Sequence, residues 1–212
     1  MTARWQESSP RQGLTVRAVY STVERGQVFR LRYRVFAETL KWIPENASRL
    51  DRDDYDAHAT LLGVFGKDHA LLGTIRIVFR PERFMLDKEF AELLPTGQTV
   101  QLARAELSRM CLVPAYQGSD QGRHMAMALL YHAYTLCIGR GIEAADFVST
   151  PEFLNSLLAR GLSCEVLSEV QQFGRGGATS VAARLLWSAF SVEETFSDWV
   201  THQYSSTPKL SA

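Results

Sequence analysis

TVQLARAELSRMCLVPAYQGSDQGRHMAMALLYHAYTLCIGRGIEAADFV, residues 99–148, is the stretch whose reading decides the fold. Thr99 to Val113 reads as one long strand, and Gln117-Gly118-Ser119-Asp120-Gln121-Gly122 as a polar, glycine-bearing turn. An apolar helix follows to about Arg140, Gly141 closes it, and Ala144 to Val148 reads as a second strand.

Upstream, Ser21-Thr22-Val23-Glu24 fits a capping box that starts a helix running through Val28, Leu31, Val35 and Phe36 toward Leu40, with Pro44 as its limit. Glu45 to Ala57 is acid-rich and reads as an irregular loop. Ala59–Phe65 and Ala70–Phe79 read as a hairpin across Gly66-Lys67-Asp68-His69. A short helical piece spans Asp87 to Leu94, before a turn at Pro95-Thr96-Gly97. Downstream, Thr150-Pro151-Glu152 caps a helix that Gly161 ends. Strands are expected near Cys164–Gln171 and Val181–Trp187, and Ser191-Val192-Glu193-Glu194 opens a last helix. This order predicts an α/β (α+β) fold, a mixed sheet covered by helices.

The 212 residues are 46% hydrophobic and 22% charged, enough for one domain over 1–212 with a sizeable core and flexible termini at 1–14 and 205–212. Lys+Arg and Asp+Glu number 23 each, and zero net charge without a basic stripe argues against a nucleic-acid partner. Cys111, Cys137 and Cys164 form no CxxC, and reduced thiols fit a cytoplasmic protein. The first 13 residues carry Arg4, Glu7 and Arg11 and read as neither signal peptide nor anchor. Met125 to Gly139 is uncharged but shorter than the roughly 20 residues of a membrane span.

Charge placement is more informative than charge balance. Phe29, Arg32 and Phe36 share a helix face, so Arg32 is either half buried with a partner or a snorkelling edge residue. Strand alternation sets Arg76 among Leu72, Thr74 and Val78, where a guanidinium needs carboxylate partners. Asp53 and Asp56 are candidates for that role, or else form a solvated turn. Alternation puts Glu106 and Ser108 on one face of their strand and Arg109 on the other, a pattern of either a sheet edge or a site. The five histidines show no metal spacing, and GxSxG, Walker A and GxGxxG patterns do not occur. His132 reads as a hydrogen-bonded structural residue, and Met125 and Met127 as core filler.

Arg32-x3-Phe36-x5-Trp42, Asp53-x2-Asp56, Gly73-x2-Arg76, Phe90 and Glu106-x-Ser108-Arg109, in this order, resemble the signature of the acyl-homoserine lactone synthases, the bacterial autoinducer synthases of quorum sensing. The resemblance implies a GNAT-like twisted sheet whose central strands splay to admit a pantetheine thioester. Phe153-x3-Leu157-x3-Gly161-Leu162 also looks like the last core helix of such acyltransferases. The implied substrates are S-adenosylmethionine and an acyl group on acyl carrier protein or coenzyme A, with no cofactor and no metal. The amine attacks the thioester, and the carboxylate then displaces methylthioadenosine to close the lactone.

By matching position, the resemblance assigns Arg32, Phe36 and Trp42 to the border of the S-adenosylmethionine pocket. Asp53, Asp56, Arg76, Glu106 and Arg109 become the charged network shaping it, with Glu106 as acceptor of the amine proton through water beside Ser108. Phe90, Met110, Ser149 and Thr150 border the acyl chain, where the two hydroxyls either bond a 3-oxo or 3-hydroxy group or only cap the next helix. Arg160, Arg175 and Arg184 are candidate contacts for an acidic carrier protein. Met110 stands where relatives commonly have an aromatic, and Ile77-Val78-Phe79-Arg80-Pro81 departs from their Leu-Pro-Thr, both of which bear on chain length. Competing expectations are an N-acyl amino acid synthase of the same fold and a catalytically silent acyl-carrier or lipid-signal binding protein.

Overall fold

The computed structural model describes residues 13–94, 103–173 and 177–197, and the backbone of residues 6–9. Strands β1 (Gln6–Ser9) and β2 (Leu14–Ala18) pair antiparallel, so the expected flexible start is in part a sheet edge, and Leu14 is buried. Helix α1 (Thr22–Tyr33) begins as expected: the Ser21 hydroxyl accepts the Glu24 N–H at 3.2 Å. It runs on into a π-helical turn at Arg34–Thr39, which the helical periodicity did not indicate. The acid-rich loop contains one 3-10 turn at Asp54–Ala57.

The hairpin forms as β3 (Thr60–Phe65) and β4 (Leu71–Phe79). Leu72 is bulged out of that ladder, so it packs against the opposite core from Arg76, whose face it was expected to share. The helical piece after Pro81 consists of two 3-10 turns, Met85–Asp87 and Ala91–Leu93. Pro95-Thr96-Gly97 and the first residues of the long strand lie outside the described residues; the strand itself is β5 (Arg104–Leu112).

From β5 the chain passes through a 3-10 turn at Pro114–Tyr116 into α2 (Asp120–Ile138), then β6 (Ala144–Ser149) and α3 (Pro151–Leu158). Strands β7 (Cys164–Val166), β8 (Gln171–Phe173) and β9 (Ala178–Leu186) and a short α4 (Val192–Thr195) complete the described fold. The sheet order is β1-β2-β3-β4-β5-β6-β9-β7, with β8 also paired to β9. Every pairing is antiparallel except β5 with β6, which need the helical crossover α2 to run the same way.

That parallel pair covers only Arg104–Leu107 against Ala144–Phe147, so beyond Leu107 and Phe147 the two strands part. The gap opens at the centre of the sheet. On one face, Met125, Leu129 and Ala133 of α2 share a core with Ile75, Ile77, Ala105 and Leu107. On the other, Val28 and Phe29 of α1 pack with Leu61 and Phe65, while Phe84, Leu86 and Leu93 pack with Val78 and Ala182. His132 is buried, with Nδ1 2.9 Å from the Ala128 carbonyl, as expected of a structural histidine. The three cysteines are free.

Gly122, in the first turn of α2, lets that helix sit against the preceding 3-10 turn: a Cβ there would lie 1.9 Å from the Tyr116 carbonyl oxygen. Gly122→Ala is expected to cost about 1–3 kcal/mol by overpacking. A lower denaturation midpoint with an unchanged slope is the measurement that checks it.

Candidate active site

Arg76 is fully buried on β4, and its charge is met from the acid-rich loop. Its Nη1 donates to Asp53 Oδ1 at 2.5 Å and to Asp56 Oδ1 at 3.3 Å, and its Nε to the Ser108 hydroxyl at 2.9 Å. Arg32 is equally enclosed, with Nη1 and Nη2 on the two oxygens of Asp56 at 2.7 and 3.3 Å and Nε on Asp51 Oδ2 at 2.9 Å. Asp56 also accepts the Asp53 N–H at 2.9 Å. Burial works against the charge on Asp51 and Asp56, but the arginines outweigh it and hold both carboxyls below the usual range.

Arg109 joins the same network, against the strict alternation of the sequence reading. Thr74 pairs with Cys111 and Arg76 with Ser108, so Arg109 and Met110 together oppose Ile75 in a bulge. Arg109 takes φ +53°, unusual for a residue with a Cβ. The bulge turns its side chain to the face of Ser108, where Nε donates to Asp51 Oδ2 at 2.9 Å and Nη2 lies 3.5 Å from Asp53. Three arginines thus meet three aspartates. Asp51 takes the place expected for Glu106; nothing local in Arg49-Leu50-Asp51-Arg52-Asp53 marks which acid turns inward.

Glu106 stands apart from these ion pairs. Its Oε2 accepts the Leu86 N–H at 2.9 Å, while Oε1 is buried without a hydrogen-bond partner. Burial pushes its pKa up to about 7, and the Leu86 and Met85 N–H groups and Arg76 offset that only in part. A carboxyl held near neutrality can take or release a proton at physiological pH.

Glu106 and Ser108 lie on the wall of a cavity of about 630 Å³ that occupies the gap between β5 and β6. Near the charged network its wall is aromatic: Phe36 and Trp42 stack with centroids 6.0 Å apart, and Arg109 lies over Phe36 at 5.7 Å. The π-turn sets this up, because the Phe36 carbonyl accepts both the Trp42 and Ile43 N–H groups beyond it. Deeper, the wall is apolar, with Leu107, Leu130, Phe147, Leu157 and Leu185. Phe90 meets Phe173 edge-on at 5.5 Å, and Met110 and Met127 also face the cavity, so Met127 is more than core filler.

Ser149 and Thr150 line the cavity too. Thr150 caps α3 by accepting the Phe153 N–H at 3.3 Å, and Ser149 donates to the Thr150 carbonyl at 3.2 Å. Arg32, Asp53, Asp56 and Arg76 are brought together but stand behind the wall; of the three arginines only Arg109 is on it. Arg32, which the resemblance assigns to the border of the S-adenosylmethionine pocket, is buried and saturated by Asp51 and Asp56, the partnered one of its two expected settings. Arg184, expected at a carrier-protein surface, is buried and paired with Asp146 at 2.7 Å and Glu165 at 2.9 Å. Arg160 borders the cavity and donates to the Ser156 carbonyl, and Arg175 lies outside the described residues. Among the described residues no helix is long and apolar enough to cross a membrane, and no His, Cys, Asp and Glu cluster is arranged to hold a metal ion.

Residues 31–127 match the model of the acetyltransferase (GNAT) domain. The chain is 27% identical over 166 residues to an acyl-homoserine-lactone synthase of Vibrio anguillarum, covering 74% of this chain and 83% of that one. Its fold is similar to that of the AHL synthase LasI, with TM-score 0.76 at 19% identity over 88% of this chain and 96% of that one. It is also similar to BjaI, a CoA-dependent acyl-homoserine lactone synthase solved with SAM and isopentyl-CoA, with TM-score 0.68 at 17% identity over 89% and 85% of the two chains.

Proposed function

We infer that the chain is an acyl-homoserine-lactone synthase, an acyltransferase of the GNAT fold that makes a quorum-sensing signal. The observation that carries this reading is Glu106: a carboxyl with one unpartnered oxygen, held near neutral pKa, on the wall of a cavity that opens where β5 and β6 part. The substrates in this reading are S-adenosylmethionine, as bound in the BjaI structure, and an acyl thioester of acyl carrier protein or coenzyme A.

The cavity supplies what two successive displacements need. The aromatic pair Phe36 and Trp42 suits a sulfonium, since a cation is drawn to a ring face, and the apolar wall beyond Leu107 suits the acyl chain. Glu106 accepts the amine proton, directly or through one water, as nitrogen attacks the thioester carbonyl; the C–N bond forms and the C–S bond breaks to release the carrier thiol. The substrate carboxylate then attacks the carbon bonded to sulfonium, the lactone C–O bond forms, and methylthioadenosine leaves with the electron pair. Both steps gain from enclosure, which fixes the reacting atoms and excludes competing water. Of the two hydroxyls beside the chain, Thr150 accepts the Phe153 N–H and keeps its own O–H to donate, while the Ser149 O–H is engaged on the Thr150 carbonyl.

Purified protein incubated with S-adenosylmethionine and a panel of acyl-carrier and acyl-coenzyme A donors is expected to yield methylthioadenosine and acyl-homoserine lactone together, read by mass spectrometry. Amide without methylthioadenosine would move the chain to the N-acyl amino acid synthases. Binding without either product would make it a silent carrier or lipid-signal protein.

A further inference from the structure

In the charged network, nearly every guanidinium nitrogen that points inward finds a carboxylate or hydroxyl oxygen. Two do not. Arg76 Nη2 lies 2.8 Å from the thioether sulfur of Met85, and Arg109 Nη1 lies 3.6 Å from the same atom. A thioether is a weak acceptor, and two charged donors converge on it in a setting from which water is largely excluded. An anionic oxygen in its place would make charge-assisted hydrogen bonds to both.

Met85 is also able to yield at this point. It lines the cavity, its side chain has three rotatable bonds, and it stands in the 3-10 turn Met85–Asp87, which is not part of the sheet. The network behind it is balanced, three arginines on three aspartates, so a lone anion would unbalance it. A carboxylate that brings its own cation would not. Such a ligand would set its carboxylate toward Arg76 and Arg109 and its cation toward the Phe36–Trp42 pair, which lines the same cavity as Met85.

We propose that Met85 is a placeholder, whose sulfur occupies the position of one oxygen of the substrate's carboxylate and is displaced from Arg76 and Arg109 when the substrate binds. The same turn supplies the Leu86 N–H that holds Glu106 Oε2, so displacement of Met85 reaches the proposed proton acceptor through two bonds of backbone. Carboxylate capture and the readiness of Glu106 are thereby coupled. The synthase reading enters only in identifying the carboxylate's owner as S-adenosylmethionine.

The test compares the wild type, Met85→Leu and Met85→Gln by calorimetric titration with S-adenosylmethionine, its decarboxylated analogue and methionine. Leucine keeps the bulk and removes the competing acceptor, so S-adenosylmethionine is expected to bind about 5-fold tighter or more; the glutamine amide oxygen satisfies both arginines and is expected to weaken binding by about 10-fold. The decarboxylated analogue is expected to vary less than about 2-fold across the three proteins, and acyl-thioester binding reports that each variant is folded. Equal affinities in all three, parallel shifts for both forms of the ligand, or no carboxylate ligand bound by any of them would overturn the proposal. If methionine follows the predicted order while no methylthioadenosine is ever made, the placeholder stands and the synthase reading fails; turnover with a flat order gives the converse.

Discussion

Glu106→Gln is expected to lower the turnover of acyl transfer by about 100- to 10,000-fold, the usual contribution of a positioned general base. The amide keeps the shape and still accepts the Leu86 N–H, but it cannot take a proton. Because burial raises the Glu106 pKa to about 7, wild-type turnover should climb as pH passes 7, and that ionisation should be missing from the residual activity of the variant. The substrate's own α-amine titrates near about 7.7–8.0, so the limb lost on substitution is the diagnostic one. Stability should move the opposite way. A carboxyl with a raised pKa contributes stability that is complete below its unfolded value and lost as pH rises through about 7, so the variant should melt higher than the wild type at pH 8. Loss of activity with a gain of stability separates a lost base from a damaged fold.

Asp56→Asn is expected to have the largest effect on folding. Asp56 is 1% exposed and takes three guanidinium contacts, two from Arg32 and one from Arg76. Removing its charge leaves two buried arginines sharing too few carboxylates, a loss of about 3–5 kcal/mol. For a chain of this size that corresponds to a fall of roughly 10 °C in melting temperature. Asp53→Asn, at a position 25% exposed and partly solvated, should cost less. The acid dependence has a definite sign: the Asp56 pKa is lowered on folding, so its contribution is present above the ordinary carboxylate range and is lost as pH falls through the folded value. Denaturation between pH 3 and 8 should therefore show the difference between wild type and Asp56→Asn shrinking toward the acid end; a constant difference would contradict this assignment.

These effects explain which parts of the molecule were legible in the chain. Helix starts at Ser21, Thr150 and Ser191 are local events, a hydroxyl three residues before an amide, and all three form, while Ser119 caps α2 inside the stretch that reads as a turn. The hairpin is local as well. Arg76 announced its need for carboxylates because a charge on an apolar strand face has few other outcomes. Asp51 was missed because its role depends on where an irregular loop crosses Arg32 and Arg109. Arg109 was placed on the wrong face because a bulge reverses alternation, and here the residue in the left-handed region is an arginine, without the glycine that would have signalled it. Met85 gave no signal: a methionine after Phe84 looks like core until two guanidiniums are found on its sulfur.

The π-turn at Arg34–Thr39 has a meaning in chain length. A π-turn holds one residue more than an α-helix would carry over the same rise, so it counts residues between the network, anchored at Arg32, and the aromatic pair that ends at Trp42. Deleting one residue of this turn would let it relax into ordinary α-helix and remove the wide turn through which the Leu40 N–H reaches the Val35 carbonyl and the Trp42 N–H the Phe36 carbonyl. The helix would survive, and the Phe36–Trp42 stack would not. This segment tolerates changes of side chain more readily than changes of length.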